Sequence, residues 1–276
     1  MTAGRSRLIA SSLKHFFLVM LAIFVYYPFI FLLFTSFKDI PQFYHEFWLP
    51  AFPLHPENYA QAWRLIHRYT LNSVVITSTS VTGVLIVSSL SAFAFARYRF
   101  FAKEILFYMI IGLLMVPQVL TLVPSFVWMK RLGLLDTWGA LIFPYIAGGQ
   151  ILAIFILRTF FASTPEALYE SMRLDGASKL QEYYYLAIPL SRSILGVIAI
   201  INMLNTWNDY IWPLVVISTD RLRTLTVGLV YFQGQYATQY GPQMAGYIIG
   251  SIPLLIVFFL TMRSFISGLA TGALKM

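Results

Sequence analysis

The sequence predicts an all-α integral membrane protein with six transmembrane helices. Both chain ends fall on the cytoplasmic side, and a short helix–turn–helix joins the fourth and fifth spans. Three observations predict this. Of the 276 residues, 59% are hydrophobic and only 11% charged, against about 25% charged in ordinary soluble domains. Whole stretches carry no charge at all, as hydrocarbon demands, because an unpaired charge there is costly. The nineteen Lys and Arg residues collect at the ends of those stretches, where they set topology. A net charge of +8 would suit nucleic acid, but basic residues this scattered form no patch, so no nucleic-acid partner is expected. The chain has no cysteine, which excludes disulfides, thiolate catalysis and Cys-based metal sites.

A spanning helix needs roughly 20 apolar residues. The first such window is Phe16–Phe37. Arg5, Arg7 and Lys14 precede it like the basic start of a signal peptide. No small-x-small cleavage site follows, so this window is expected to remain as the first span. The later windows are Tyr69–Ala96, Ile105–Met129, Thr137–Leu157, Ser193–Asn208 continuing to about Ile217, and Gly246–Met262. Pro117 and Pro124 in the third and Pro144 in the fourth are expected to kink their helices. With the N-terminus inside, the inner segments hold twelve basic residues and the outer ones seven, which puts both termini inside. Residues 38–68 and 218–245 become outer loops, and 158–192 the longest inner loop. A single domain, 1–276, is expected.

The inner loop is where charge returns: six of the seventeen residues in EALYESMRLDGASKLQE (166–182) are charged. Either Thr164 caps a helix with Pro165 at its first position, or Ser163 and Glu166 form a capping box. The helix runs to about Leu174, with Leu168 and Met172 on one face and Glu166, Glu170 and Arg173 beside it. Asp175-Gly176 ends it, glycine supplying the left-handed conformation. Ser178 and Gln181 are spaced as a second capping box. The helix they start carries Leu180, Tyr184 and Ala187 on its apolar face, and Pro189 closes it. Two roles are open for this object: an interfacial amphipathic link, or a docking ridge for a soluble partner.

The stretch EALYESMRLDGASKLQEYYYLAIPL (166–190) resembles the EAA loop of permease subunits of bacterial ABC importers. Glu170-Ser171-Met172 stands at the E-A-A position, Asp175-Gly176-Ala177 at D-G-A, and Pro189 at the closing proline. Ser171 and Met172 depart from two alanines. NTWNDYIWPLVV (205–216) and FISGLATGALKM (265–276) resemble the fifth span and tail of maltose-type carbohydrate permeases. The resemblance implies a bacterial cytoplasmic-membrane subunit that forms a sugar pathway with a second permease. A dimeric ATPase, with its ATP and Mg, would drive it, and an extracytoplasmic substrate-binding protein would deliver the solute. It further implies that Glu170, Ser171, Met172, Asp175, Gly176, Ala177 and Pro189 belong to the ATPase-coupling loop. Lys275 and Met276 would reach into the ATPase dimer. The chain itself has no G-x-x-x-x-G-K-[ST] loop to hold ATP phosphates, so no cofactor is expected on it.

Asp209 is the notable ionisable group within a span. With Trp207, Asn208 and Trp212 it resembles sugar-binding chemistry, aromatic faces beside amides. The other reading, which weighs more, is that Asp209 caps or pairs near the outer interface while the tryptophans form a membrane belt. His15, His45, His55 and His67 show no metal-ligand spacing, and no catalytic arrangement appears in the spans. The rival reading is an independent secondary transporter, which would need coupling groups within the spans, where Asp209 is nearly alone.

Overall fold

The computed structural model describes residues 2–235 and 238–273, all helix and connecting loop, with no strand among them. The helices are α1 Thr2–Ser36, α2 Ile40–His45, α3 Glu57–Arg97, α4 Lys103–Gly112, α5 Gln118–Arg131, α6 Gly139–Ser163, α7 Glu166–Leu174, α8 Lys179–Gln181, α9 Ile188–Leu190, α10 Arg192–Asn208, α11 Ile211–Val216, α12 Leu225–Gln235 and α13 Tyr240–Ala273. A π-helical turn, Glu182–Ala187, joins α8 to α9.

Among the described residues, four helices are long and apolar enough to cross a membrane: Leu13–Ser36, Glu57–Arg97, Gly139–Ser163 and Tyr240–Leu260. Two bent pairs of helices pass the same test together and bring the total to six if each pair crosses once. Lys103–Met115 and Gln118–Arg131 meet at 105°, and Lys179–Leu190 and Arg192–Asn208 at 75°. The third predicted span, Ile105–Met129, is therefore broken and not merely kinked. Pro117 has extended backbone before α5 and lacks the N–H that would continue the helix. The fifth predicted span also divides, because α10 stops at Asn208 and α11 begins at Ile211. The predicted loops are shorter than expected: α3 starts at Glu57, and 218–245 contains α12 and the start of α13.

The chain divides into two compact units, Met1–His67 with Leu229–Ile252, and Arg68–Gly228 with Pro253–Met276. In the first, Asp39 caps α2 through a reciprocal box with Gln42, and Phe43 stacks on Tyr240 at 4.0 Å. Asn58 donates to the carbonyls of Ser36 and Lys38, both at 2.9 Å. A Cβ at Gly241 would strike that Lys38 carbonyl, so glycine permits the close approach.

In the second unit, Gly83 faces Ile146 and Phe93 meets Phe161, so α3 and α6 run parallel. Two apolar clusters mark its two ends. One unites Phe93, Leu157, Phe161, Tyr169, Tyr183, Ala187 and Ile198. The other gathers Ile76, Met129, Ala140, Leu141, Trp212, Val216 and Ile217. The first seats the charged helix–turn–helix on α3, α6 and α10.

Candidate functional site

The segment 163–191 forms helix, turn and helix, with differences at each cap. Thr164 ends α6, donating its N–H to Phe161 O, and Pro165 precedes α7 without a side-chain cap. Neither predicted first cap forms. The extended residue between two helices, Thr164 with ψ 129°, suits a position before proline. The exit from α7 follows the sequence closely. Gly176 has φ +81°; its N–H reaches Arg173 O at 3.0 Å, and the Ala177 N–H reaches Met172 O at 2.9 Å. This pair of bonds is a Schellman motif, which satisfies the last carbonyls of the helix. Nothing lies within 4 Å of a Cβ at Gly176, so the demand for glycine is conformational and not steric.

The second box forms as spaced: Ser178 N donates to Gln181 Oε1 at 2.7 Å, and Gln181 N to Ser178 Oγ at 3.4 Å. Beyond it the expected apolar face, with Tyr183 and Tyr185 alongside, is only partly kept. Leu180, Tyr184 and Tyr185 are exposed, while Glu182, Tyr183 and Ala187 are buried. The π turn closes i→i+5 bonds, so a face counted at α-helical spacing points elsewhere. Pro189 does not close the helix; it lies within α9, and the bend falls at Ser191. In α7 the buried face centres on Tyr169, 0% exposed, one residue from the predicted Leu168, which is 42% exposed.

Polar contacts tie this segment down. The Arg97 guanidinium of α3 stacks 3.8 Å over the Tyr169 ring. It pairs with Glu166 at 2.7 Å and donates to the carbonyls of Phe161 and Thr164. Glu166 also accepts Arg173 Nη1 at 3.0 Å. Arg173 Nε and Lys179 Nζ both reach Glu182 Oε1 at 3.0 Å. The Glu182 hydrogen bond, then the nearby charges, raise the Arg173 pKa above its ordinary value. Burial dominates at Tyr169 and raises its phenol, against the lowering effect of Arg97. Arg158 repeats the design on α6, 3.7 Å over Phe107 and paired with Glu104 at 2.6 Å.

The outward surface is different. Glu170 is exposed and makes no ion pair among the described residues. Leu174, beside the turn, is 89% exposed. Ser171 bonds back to Leu168 O, Met172 is half-buried, and Asp175 and Ala177 flank the glycine. Lys275 and Met276 lie outside the described residues.

The predicted pathway group does not converge. Trp207 is buried, and Asn208 donates to Leu204 O of its own helix. Asp209 sits at the α10–α11 break, accepting the Tyr145 hydroxyl at 3.0 Å and Trp212 N at 3.3 Å. Trp212 is buried, with its indole N–H on Ala140 O at 2.9 Å, so it is not a belt residue. A cavity of about 80 Å³ opens instead one to two turns back, between α6 and α10. Gly148, Gly149, Asn202 and Asn205 form its polar side. Asn202 Oδ1 lies against Gly149, where a Cβ would overlap it. Asn202 and Asn205 stand three apart in NMLNTWND, on one helix face, the signal by which the sequence marks them.

Broken apolar helices and a charged helix–turn–helix seated on their aromatic core define a multi-pass membrane protein with an outward-facing polar ridge. The chain belongs to the family of binding-protein-dependent transport system inner membrane components, which it matches over residues 85–269. It is 30% identical to the probable ABC transporter permease YurM of Bacillus subtilis, over 94% of this chain and 87% of the relative. It is 32% identical to the trehalose/maltose transport system permease MalG of Thermococcus litoralis, over 93% of this chain and 94% of that one. Its fold matches a crystal structure of a bacterial ABC transporter involved in import of the acidic polysaccharide alginate. The TM-score is 0.79 at 23% identity, covering 95% of this chain and 98% of the other. The relatives are transport permeases, and the chain is a multi-pass inner-membrane component.

Proposed function

We propose that this chain is the permease subunit of an ATP-driven carbohydrate importer. It would pair with a second permease, a dimeric ATPase and an external binding protein. The observation that carries the reading is the exposed ridge of Glu170 and Leu174 beside the positive-φ Gly176. Glu166, Arg173, Lys179 and Glu182 pair with one another, whereas Glu170 makes no ion pair among the described residues and would meet a basic group of the ATPase. The overall bias of basic residues, twelve in the inner segments against seven in the outer, supports a cytoplasmic place for this ridge, where ATP and Mg would act on the partner. Lys275 and Met276 are proposed to contact the same ATPase.

Relatives named for sugar uptake support a carbohydrate as the solute. The cavity beside Asn202 and Asn205 is smaller than the roughly 300 Å³ at which ligand pockets begin. It would be one wall of a pathway that the second permease completes, with the two amides meeting sugar hydroxyls. Trp207, Asn208 and Asp209 would shape the break that supports this wall.

The test is Glu170→Lys and Gly176→Trp in the assembled importer. Both are expected to insert normally and to lose ATPase association or uptake. Normal binding-protein-stimulated ATPase activity and uptake in both would refute the docking role. Uptake by the purified chain without any ATPase would instead establish a secondary transporter.

A further inference from the structure

Arg97 belongs to α3, yet its ion pair, its two carbonyl partners and its ring contact all lie at the end of α6 or on α7. From there a line of opposite charges runs without a gap, Arg97–Glu166–Arg173–Glu182–Lys179. It crosses the Gly176 turn to Glu182 on the π turn, where Lys179 of α8 also pairs. Two of its members are anchored in the core: the Arg97 side chain is 8% exposed and Glu182 0%. The π turn is also bonded to α3 directly. Ser89 Oγ gives its proton to Leu85 O at 2.6 Å, so the Tyr183 hydroxyl donates to Ser89 at 2.7 Å. Phe93 of α3 meets Tyr183 edge-on at 5.4 Å.

Besides its short link back to α6 through Thr164 and Pro165, the helix–turn–helix has two routes into the spans, of different stiffness. The onward covalent route leads to α10 through a π turn, Pro189 and a 75° bend at Ser191. Non-α backbone of this sort is where helices flex. The non-covalent route leads to α3 through an Arg97 guanidinium that stacks on Tyr169 and donates to one carboxylate and two carbonyls, contacts that are directional. Losing Glu166 leaves the buried Arg97 guanidinium without its carboxylate, and losing Arg173 or Lys179 leaves the buried Glu182 with one cation in place of two. We infer that this charge line is a clamp that makes the helix–turn–helix and the Arg97 end of α3 one body. Displacement of the turn is then delivered to α3, while α10 follows on a hinge. Arg97 and Glu182 are positioning residues of this clamp. The inference rests on the proposed coupling role of the ridge and adds which span receives the stroke.

The test uses the complete importer in vesicles, with Arg97→Lys and Glu182→Gln, and reads ATP hydrolysed per sugar imported. Lysine keeps the charge but cannot hold two carbonyls and a carboxylate in one plane. Glutamine keeps the shape of Glu182 without the charge. The clamp predicts that both variants retain the ATPase and its stimulation, while ATP used per sugar rises about tenfold. A wild-type ratio in the assembled variants overturns the clamp. So does loss of assembly in both variants, which would make the network a folding element alone. Glu170→Lys, run alongside, separates the two readings. Retained ATPase association in that variant is a failure of docking, and an unchanged ratio in Arg97→Lys with the ATPase bound is a failure of the clamp.

Discussion

The two ends of the Arg68–Gly228 unit are held in different ways. At the Arg97 end, side chain pairs with side chain across α3, α7 and the π turn, and two arginines lie flat on aromatic rings. At the Asp136 end, carboxylates accept mostly from backbone and hydroxyl groups. Asp136 takes the N–H groups of Ser218 and Thr219 and the Thr219 hydroxyl. Asp220 takes the Tyr69 hydroxyl at 2.8 Å and Arg223 at 2.7 Å. Asn72 donates to the carbonyls of Arg221 and Arg223. Bonds to backbone fix the shape of one loop. Bonds between side chains of separate helices bind those helices as bodies. The first end suits transmission of motion, and the second suits a rigid rim.

The largest expected break in this contrast is Tyr169→Ala, which removes a fully buried ring and the surface under Arg97. It should cost about 3–5 kcal/mol, seen as a lower thermal midpoint of the purified importer. Tyr169→Phe should cost less than about 1 kcal/mol, because no described residue meets the hydroxyl in good hydrogen-bond geometry, Arg97 and Thr164 interacting with it only weakly. Equal losses in the two variants would show that the ring face is not what counts. At the other end, a Cβ at Gly228 would overlap the Tyr69 ring. Gly228→Ala should cost about 1–3 kcal/mol and should loosen the 218–224 loop, read by hydrogen exchange, without changing ATP used per sugar. A changed ratio would erase the distinction between the ends.

Gly176→Ala should cost about 1–2 kcal/mol through its positive φ alone. Its effect on stability should persist in the permease pair without the ATPase, since no neighbour in the chain crowds the site. The smallest effect is one of pH. Thr219 hydrogen bonds, the hydroxyl first, hold the Asp136 carboxyl below its ordinary 3.8. A depressed folded pKa contributes stability that is present above the ordinary value and lost as pH falls through the folded one. The melting temperature of the wild type should therefore fall more steeply below pH ~4 than that of Asp136→Asn, with parallel curves above pH ~5. Parallel curves throughout would remove Asp136 as a pH-dependent strap.

Much of the helix–turn–helix was legible because its determinants are local. Ser178 and Gln181 form both bonds that their spacing implies, and Gly176 takes the left-handed conformation that a helix exit requires. The first cap was misread, since Thr164 completes α6 and does not start α7. Arg97 reads in sequence as one more basic residue at the end of a span. Its role depends on Tyr169 and Glu166, about seventy residues away in the chain. Glu182 reads as surface charge, and only Arg173 and Lys179 folding over it make its burial tolerable.

What the sequence determined alone is what depends on neighbours within a few residues: apolar windows long enough for a bilayer, caps, and the glycine turn. Scarcity of charge and its placement at window ends were enough for a multi-pass helical membrane protein. The tertiary structure decided what depends on distant partners. It broke the third and fifth spans, turned the π segment so that Tyr183 and not Tyr184 enters the core, and moved the polar cavity to Asn202 and Asn205. It also joined Arg97 to the ridge. The physical reason is that burial, bending and ion pairing are set by what packs against a residue, and a local pattern does not name that partner.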